Sequence, residues 1–376
     1  MAAALLEEFG ASDVLAREES WRYSKTALRA LAQQDFIAAD GQAAVSAALR
    51  ERFEWAQTDG RRLVFVNGVF APAYSDTSRV GPHVEISHNA DNHLLIAISG
   101  DCTEPLHLVY VNAAASSASR WQAASEIRID AGKLDLIEQH VGEAGPDVLG
   151  ALRSDIRIAA AAHLQMTTLA ELPDSASMYR RVQTAIASQG ICRTTHAIVG
   201  ARLQRYDLGV ELAGALSRFE SQGVFALGGR QHADIHLDVR HVARDTACDI
   251  VWRGVADQRA RGVFHGAITV AAGADGADAQ LSNKNLLLSA QAEIDTQPVL
   301  EIHADEVKAA HGATVGQLDE QALFYLRSRG LPADAARRLL IGAFCRSVFA
   351  QAPADLRERL ESAIDARIPS ARAADA

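Results

Sequence analysis

Several side chains in this 376-residue chain have types and spacings that could carry chemistry. His311 stands in the run VKAAHGATVG, where an imidazole taken by itself fills a turn and hydrogen-bonds nearby backbone. His232 and His236 in HADIH are half of a zinc-protease pattern if helical, but the glutamate after the first histidine is missing. In a strand the two merely share a face. Glu293, Asp295 and Glu301 in EIDTQPVLEIHADE offer carboxylates of the kind used by polysaccharide-cleaving β-helix enzymes. Their alternation with Ile294 and Ile302 explains them at least as well as solvent-facing strand positions. Cys102, Cys192, Cys248 and Cys345 are scattered singly, which argues against a disulfide framework, a zinc knuckle or a CxxC redox pair and favours small buried hydrophobes. The chain has no G-x-x-x-x-G-K-[ST] loop to cradle a nucleotide and no Ser–His–Asp order.

These groups need a frame, and the hydrophobic period changes along the chain. ESWRYSKTALRALAQQ and DGQAAVSAALRERFEWAQTDG carry apolar residues at helical spacing, the second with Asp40 as its cap and Gly60 as its end. RRLVFVNGVFAP then reads as a hairpin turning at Asn67-Gly68. From about residue 94 to about 310 the segments are short strands without long helices, HLLIAIS, LHLVYVNA, ADIHLDVRHV, KNLLLSA and VLEIHADEV among them. Such a series makes a sandwich, a barrel or a parallel β-helix, and the scarcity of tight hairpin turns after residue 100 favours a solenoid. About three helices follow. Asp319 caps the first and Gly330 ends it, while Pro332 and Pro353 open the next two. Leu339, Leu340, Phe344 and Val348 recur on one face of the middle helix and require cover.

The balance of 37 Lys+Arg against 47 Asp+Glu gives a net charge of −10, so neither nucleic acid nor an anionic membrane is an expected partner. No run approaches the roughly 20 apolar residues of a spanning helix. The start MAAALLEEFGASDV lacks a basic leader, and a cytoplasmic location is expected.

The run from Arg261 to Leu331 resembles the signature region of the SufB/SufD family of the SUF iron–sulfur cluster assembly machine, nearest its SufD branch. KNLLLS, AEIDTQPVLEI, HGATVG and ALFYLRSRG occur in family order, with RQHADIH, WRGVADQRARGVFHG and ESWRYSKTALRAL upstream. The likeness is strong over about residues 200–350 and loose through most of the first 200. It implies a right-handed parallel β-helix core over 94–314, a helical N-terminal region with short strands over 1–93, and a helical, ATPase-docking region over 315–376.

The resemblance also implies a non-catalytic subunit that pairs with the SufB paralogue through the β-helices and docks the ABC-type ATPase SufC. A homodimer is expected where SufB is absent. Leu323, Phe324, Tyr325, Leu326, Arg327 and Arg329 would face the ATPase. His311 would touch a transient iron–sulfur cluster or iron at the shared interface, opposite a cysteine of SufB. Many relatives have a cysteine two residues before this histidine; Ala309 stands there, so the loop offers no thiolate and no cluster is expected to stay on the isolated chain. The rival readings are a carbohydrate-active β-helix enzyme and a purely structural platform.

Overall fold

A computed structural model describes residues 21–89, 92–113, 116–350 and 352–367. Its centre is a parallel β-solenoid of about eight turns, in which the chain alternates between two sheets and pairs each strand with the one two strands later. One sheet runs from Val84–His88 and His93–Ser99 to His232–His241, Arg261–Val270 and Glu293–Ile302. The other runs from Arg62–Val66 through Leu106–Asn112 to Ala247–Ala256, Asp278–Leu287 and Lys308–Gly316. The solenoid expected from the scarcity of hairpins is therefore the fold.

Strict register stacks like side chains above one another. Ile235, Leu237 and Val239 lie opposite Phe264, Gly266 and Ile268 one turn on, and all but the glycine are large apolar residues of the lumen core. Each such side chain taken from water contributes about 1.5–3 kcal/mol. Corners bend through left-handed residues. At one of them Gly200 has φ +80°, and a Cβ there would lie 2.0 Å from the Leu172 carbonyl oxygen.

The two ends of the stack differ. At the start, the strand Arg62–Val66 turns back at Asn67 (φ 48°) and Gly68 (φ 81°) to pair antiparallel with Val69–Phe70, the hairpin read from the sequence. Val84–His88 likewise pairs antiparallel with His93–Ser99, and Phe70, Val80, Val84 and Ile86 pack on the first rungs. The other end carries no such lid among the described residues.

Helix α1 (Lys25–Ala32) lies outside the first sheet, where Trp21, Leu28 and Leu31 cover Leu149, Ala151, Tyr179 and Leu203. The Ser24 hydroxyl donates to the buried Asp234 carboxylate, whose other neighbours are Arg205 at 2.7 Å and His236 at 3.1 Å. Helix α2 is only Ala47–Glu51, which corrects the longer helix expected from Asp40 to Gly60. Ser46 caps it by accepting from the Leu49 N–H, while Asp40 spends its carboxylate on the N–H of Gln42 two residues on, a turn that competes with helix.

Three helices close the described chain: α3 (Glu320–Ser328), α4 (Ala333–Arg346) and α5 (Ala354–Asp365). Asp319 accepts from the N–H groups of Gln321 and Ala322, and Gly330 has φ +93°, so the cap and stop read from the sequence hold. Ile341, Cys345, Val348, Leu360 and Ile364 cover Ile137, Leu169, Val199, Val224 and Val255 on the outside of the second sheet. The buried face of α4 is thus turned from the expected one. Ile341 and Cys345 point to the sheet, Leu340 and Phe344 flank it, and Leu339 is 44% exposed. No helix among the described residues is long and apolar enough to cross a membrane.

Candidate functional site at the open end of the solenoid

His311 belongs to a strand, Lys308–Gly316, rather than to a loop. Small residues make VKAAHGATVG a weak strand pattern, but nine registered pairs with Asp278–Leu286 hold it in the ladder. His311 lies opposite Leu281, Ala309 opposite Ala279, Ala313 opposite Asn283 and Val315 opposite Asn285. The four partners are buried in the lumen. Parallel register preserves facing, so Ala309, His311, Ala313 and Val315 continue the inward face beyond the last covered rung.

The same holds in the first sheet, where Ile294, Thr296, Pro298, Leu300 and Ile302 follow the inward Gly262, Phe264, Gly266, Ile268 and Val270. Interior-type residues are consequently left in solvent: Ile302 and Val315 are each 41% exposed, and His311 is exposed.

Backbone polarity adds to this. The Lys308 N–H is bonded to Ala277 O, and alternate residues of a strand turn their N–H and C=O to opposite sides. Ala309, His311, Ala313 and Val315 therefore direct theirs to the free edge. On the other strand Glu293 and His303 donate to Ala260 and Val270, which leaves Ile294, Thr296, Leu300 and Ile302 facing outward. Pro298, in that set, has no N–H to give.

A polar cluster lies just beneath. Asn283 Oδ1 accepts from Asn285 Nδ2 at 2.5 Å and from the Thr296 hydroxyl at 2.8 Å, and Asn285 Nδ2 also reaches Thr314 O at 3.1 Å. Asn285 Oδ1 is buried without a partner among the described residues. Sequence reasoning passed over these residues. Their signal was the period-two pair of asparagines in SNKNLL, which places two carboxamides on an inward face.

Among the described residues no group of three or more His, Cys, Asp or Glu is placed to hold a metal ion. Burial pushes the thiols of Cys192, Cys248 and Cys345 up to about 12, far from the thiolate that ligates metals. His236 and His232 lie on the outer side of the first sheet against Asp234 and Ser24. Glu293 and Asp295 bind Arg261 at 3.0 and 2.9 Å, and Glu301 binds His303 at 2.8 Å. These carboxylates are committed to neighbours.

The expected docking residues lie on α3 and its end. Phe324 is 73% and Tyr325 56% exposed, Leu323 and Leu326 are half-buried, and Arg327 and Arg329 are exposed. The Arg329 guanidinium sits 5.1 Å over the Tyr325 ring. A groove of about 540 Å³ runs between Phe324, Arg327, Leu331 and Pro332.

The SufBD core domain of the SUF system for FeS cluster assembly matches residues 112–344. An iron–sulfur cluster assembly SufBD family protein of Synechocystis is 28% identical over 95% of this chain and 90% of its own length. The iron–sulfur cluster assembly protein SufD of Escherichia coli is 28% identical over 94% of this chain and 89% of its own. A SufBD family protein of Mycobacterium tuberculosis is 31% identical over 54% of each. With the family domain spanning most of its solenoid, the chain belongs to the SufBD family.

Proposed function

We propose that this chain is a SufD-like, non-catalytic subunit of the iron–sulfur cluster assembly machinery, working in the cytoplasm beside a SufB-type paralogue and a SufC-type ATPase. The observation that supports it most is the uncovered end of the solenoid. Inward-facing Ile302 and Val315 end in solvent, with Leu300 and Ala313 half-buried, beside strands with free N–H and C=O groups, which suits a second solenoid docked end to end. In the paralogue's absence a second copy of the chain would occupy the same face.

His311 stands within that face. An exposed imidazole with no thiolate beside it is a single ligand, so a nascent cluster or iron, as cargo, needs further ligands from the partner. The chain would then supply one nitrogen and a rigid edge, and the partner the sulfur. α3 offers Phe324 and Tyr325 as anchors for the ATPase, and movements there would reach the solenoid through α4 and α5, which pack on its second sheet.

The test is anaerobic reconstitution with iron and sulfide, read by visible absorption and iron counting, on the isolated chain and on the complex with both partners. The complex should acquire a cluster, the isolated chain should retain none after desalting, and His311→Ala should abolish acquisition by the complex without dissociating it. Equal cluster content on the isolated chain, or full activity of the His311→Ala complex, would overturn the shared site.

A further inference from the structure

The rungs at the open end are held together differently from those beneath them. In the middle turns Ile235, Leu237, Val239, Phe264 and Ile268 fill the lumen. Among the described residues, the last strand of each sheet adds to that core only Ile294, Leu300 and Ala309, the latter two half-buried. Each of these strands also has a ladder partner on one side only, and such edges are where local opening begins. Apolar contact is non-directional, so a layer this thin does little to fix where the two strands lie.

Directional bonds take over there. Thr296, on the last strand of the first sheet, donates its hydroxyl across the lumen to Asn283 Oδ1 at 2.8 Å. Asn283 belongs to the penultimate strand of the second sheet, and its oxygen also accepts from Asn285 Nδ2 at 2.5 Å. Asn285 Nδ2 donates its other hydrogen to the carbonyl of Thr314, on the last strand of that sheet, at 3.1 Å. Three bonds thus run from one terminal strand to the other through two buried carboxamides. The rung below makes room for them. Asn285 lies opposite Gly254 in register, where a Cβ would come within 2.3 Å of Asn285 Oδ1, so a side chain there would displace the carboxamide. A buried polar network adds little net stability, because apolar groups of the same shape serve nearly as well. What it supplies is a defined geometry.

We infer that Thr296, Asn283 and Asn285 are positioning residues, a polar strut across the mouth of the lumen that sets the separation of the two terminal strands. The inference rests on the end-to-end docking just proposed, and adds that the docking edge is held ready before a partner arrives. His311 shares in this, since it lies on the strand that Asn285 holds, opposite Leu281. An edge already in place binds more tightly because less ordering is left for association to supply.

The test uses the full chain carrying Thr296→Val, Asn283→Leu and Asn285→Leu together, so that no member of the strut is left behind. Hydrogen exchange of the isolated chain should quicken about tenfold in peptides covering residues 293–302 and 308–316 and stay unchanged in the middle turns, with no fall in melting temperature. Association with the paralogue in analytical ultracentrifugation should weaken about tenfold, the equivalent of one interface hydrogen bond. Should the triple variant fail to fold, Thr296→Val alone, which removes one hydroxyl and no bulk, must show the same pattern at smaller size. Unchanged exchange in the two terminal strands would overturn the inference. So would a lowered melting temperature with exchange rising throughout the chain, the mark of a merely structural cluster. Faster exchange confined to those strands, with undiminished association, leaves the strut standing and refutes end-to-end docking instead.

Discussion

Removing one side chain from the lumen should reverse the pH dependence of stability. Glu138 and Arg180 are each 1% exposed by side chain, are joined by two short bonds, and have His140 at 2.8 Å. Burial works to raise the Glu138 carboxyl, but the Arg180 guanidinium foremost, with His140, outweighs it and holds the carboxyl well below its ordinary 4.5. A carboxyl depressed in the folded state contributes stability above its unfolded value and loses it as pH falls further. The unaltered chain should therefore weaken on acidification below about 4.5 through this group. Arg180→Met leaves the carboxylate buried with His140 as its one remaining partner among those named here and without its counter-charge, which costs about 3–5 kcal/mol at neutral pH. Burial then prevails, the folded carboxyl rises above 4.5, and this contribution worsens with increasing pH. Adding Glu138→Gln should restore most of the loss, since it is the stranded charge and not the missing contact that is costly. Urea unfolding between pH 4 and 8 measures all three proteins. A loss under about 1 kcal/mol for Arg180→Met, the size of an ordinary surface substitution, or a double variant no more stable than the single, would refute the reasoning.

Two further predictions concern the interfaces. Ala313→Pro removes an N–H that faces the free edge, whereas Thr314→Pro removes one aimed at the strand beneath; the first should lower paralogue association in analytical ultracentrifugation with an unchanged melting temperature, and the second should lower both. Phe324→Glu combined with Tyr325→Glu should abolish co-purification of the ATPase while leaving the solenoid intact. Deleting residues 319–376 is a poorer test, because it also strips α4 and α5 from Ile137, Leu169 and Val255.

The ends of the chain were legible because their signals are local. Asn67-Gly68 sets a hairpin, and Asp319 with Gly330 frames a helix, each by its own backbone preference. The middle was not. In KLDLIEQHVG the inward face carries Glu138 and His140, and the outward face carries Ile137 and Val141, the first beneath the C-terminal helices and the second beneath the α2 region. With polar groups inside and apolar ones outside, alternation vanishes, and only pairing about one turn away defines the strand. His311 was singled out by resemblance, yet its membership of the last rung depends on the ladder beneath it, which no local pattern reveals. The asparagines under it escaped notice because a buried carboxamide looks like a surface residue until register fixes its direction.

The unlike ends of the solenoid also limit how large an assembly can grow. A stack open at both ends would accept a neighbour at each and elongate into a fibre, the hazard of any repetitive edge. Here the hairpin at Asn67-Gly68 and the antiparallel strand Val84–His88 occupy the first rungs, so a short antiparallel edge replaces the parallel ladder at that end and disfavours end-to-end stacking there. Two such bodies that meet by their open ends would leave only these short antiparallel edges behind. If the open edge is the docking face proposed above, an assembly built through it would stop at a pair without any added terminator.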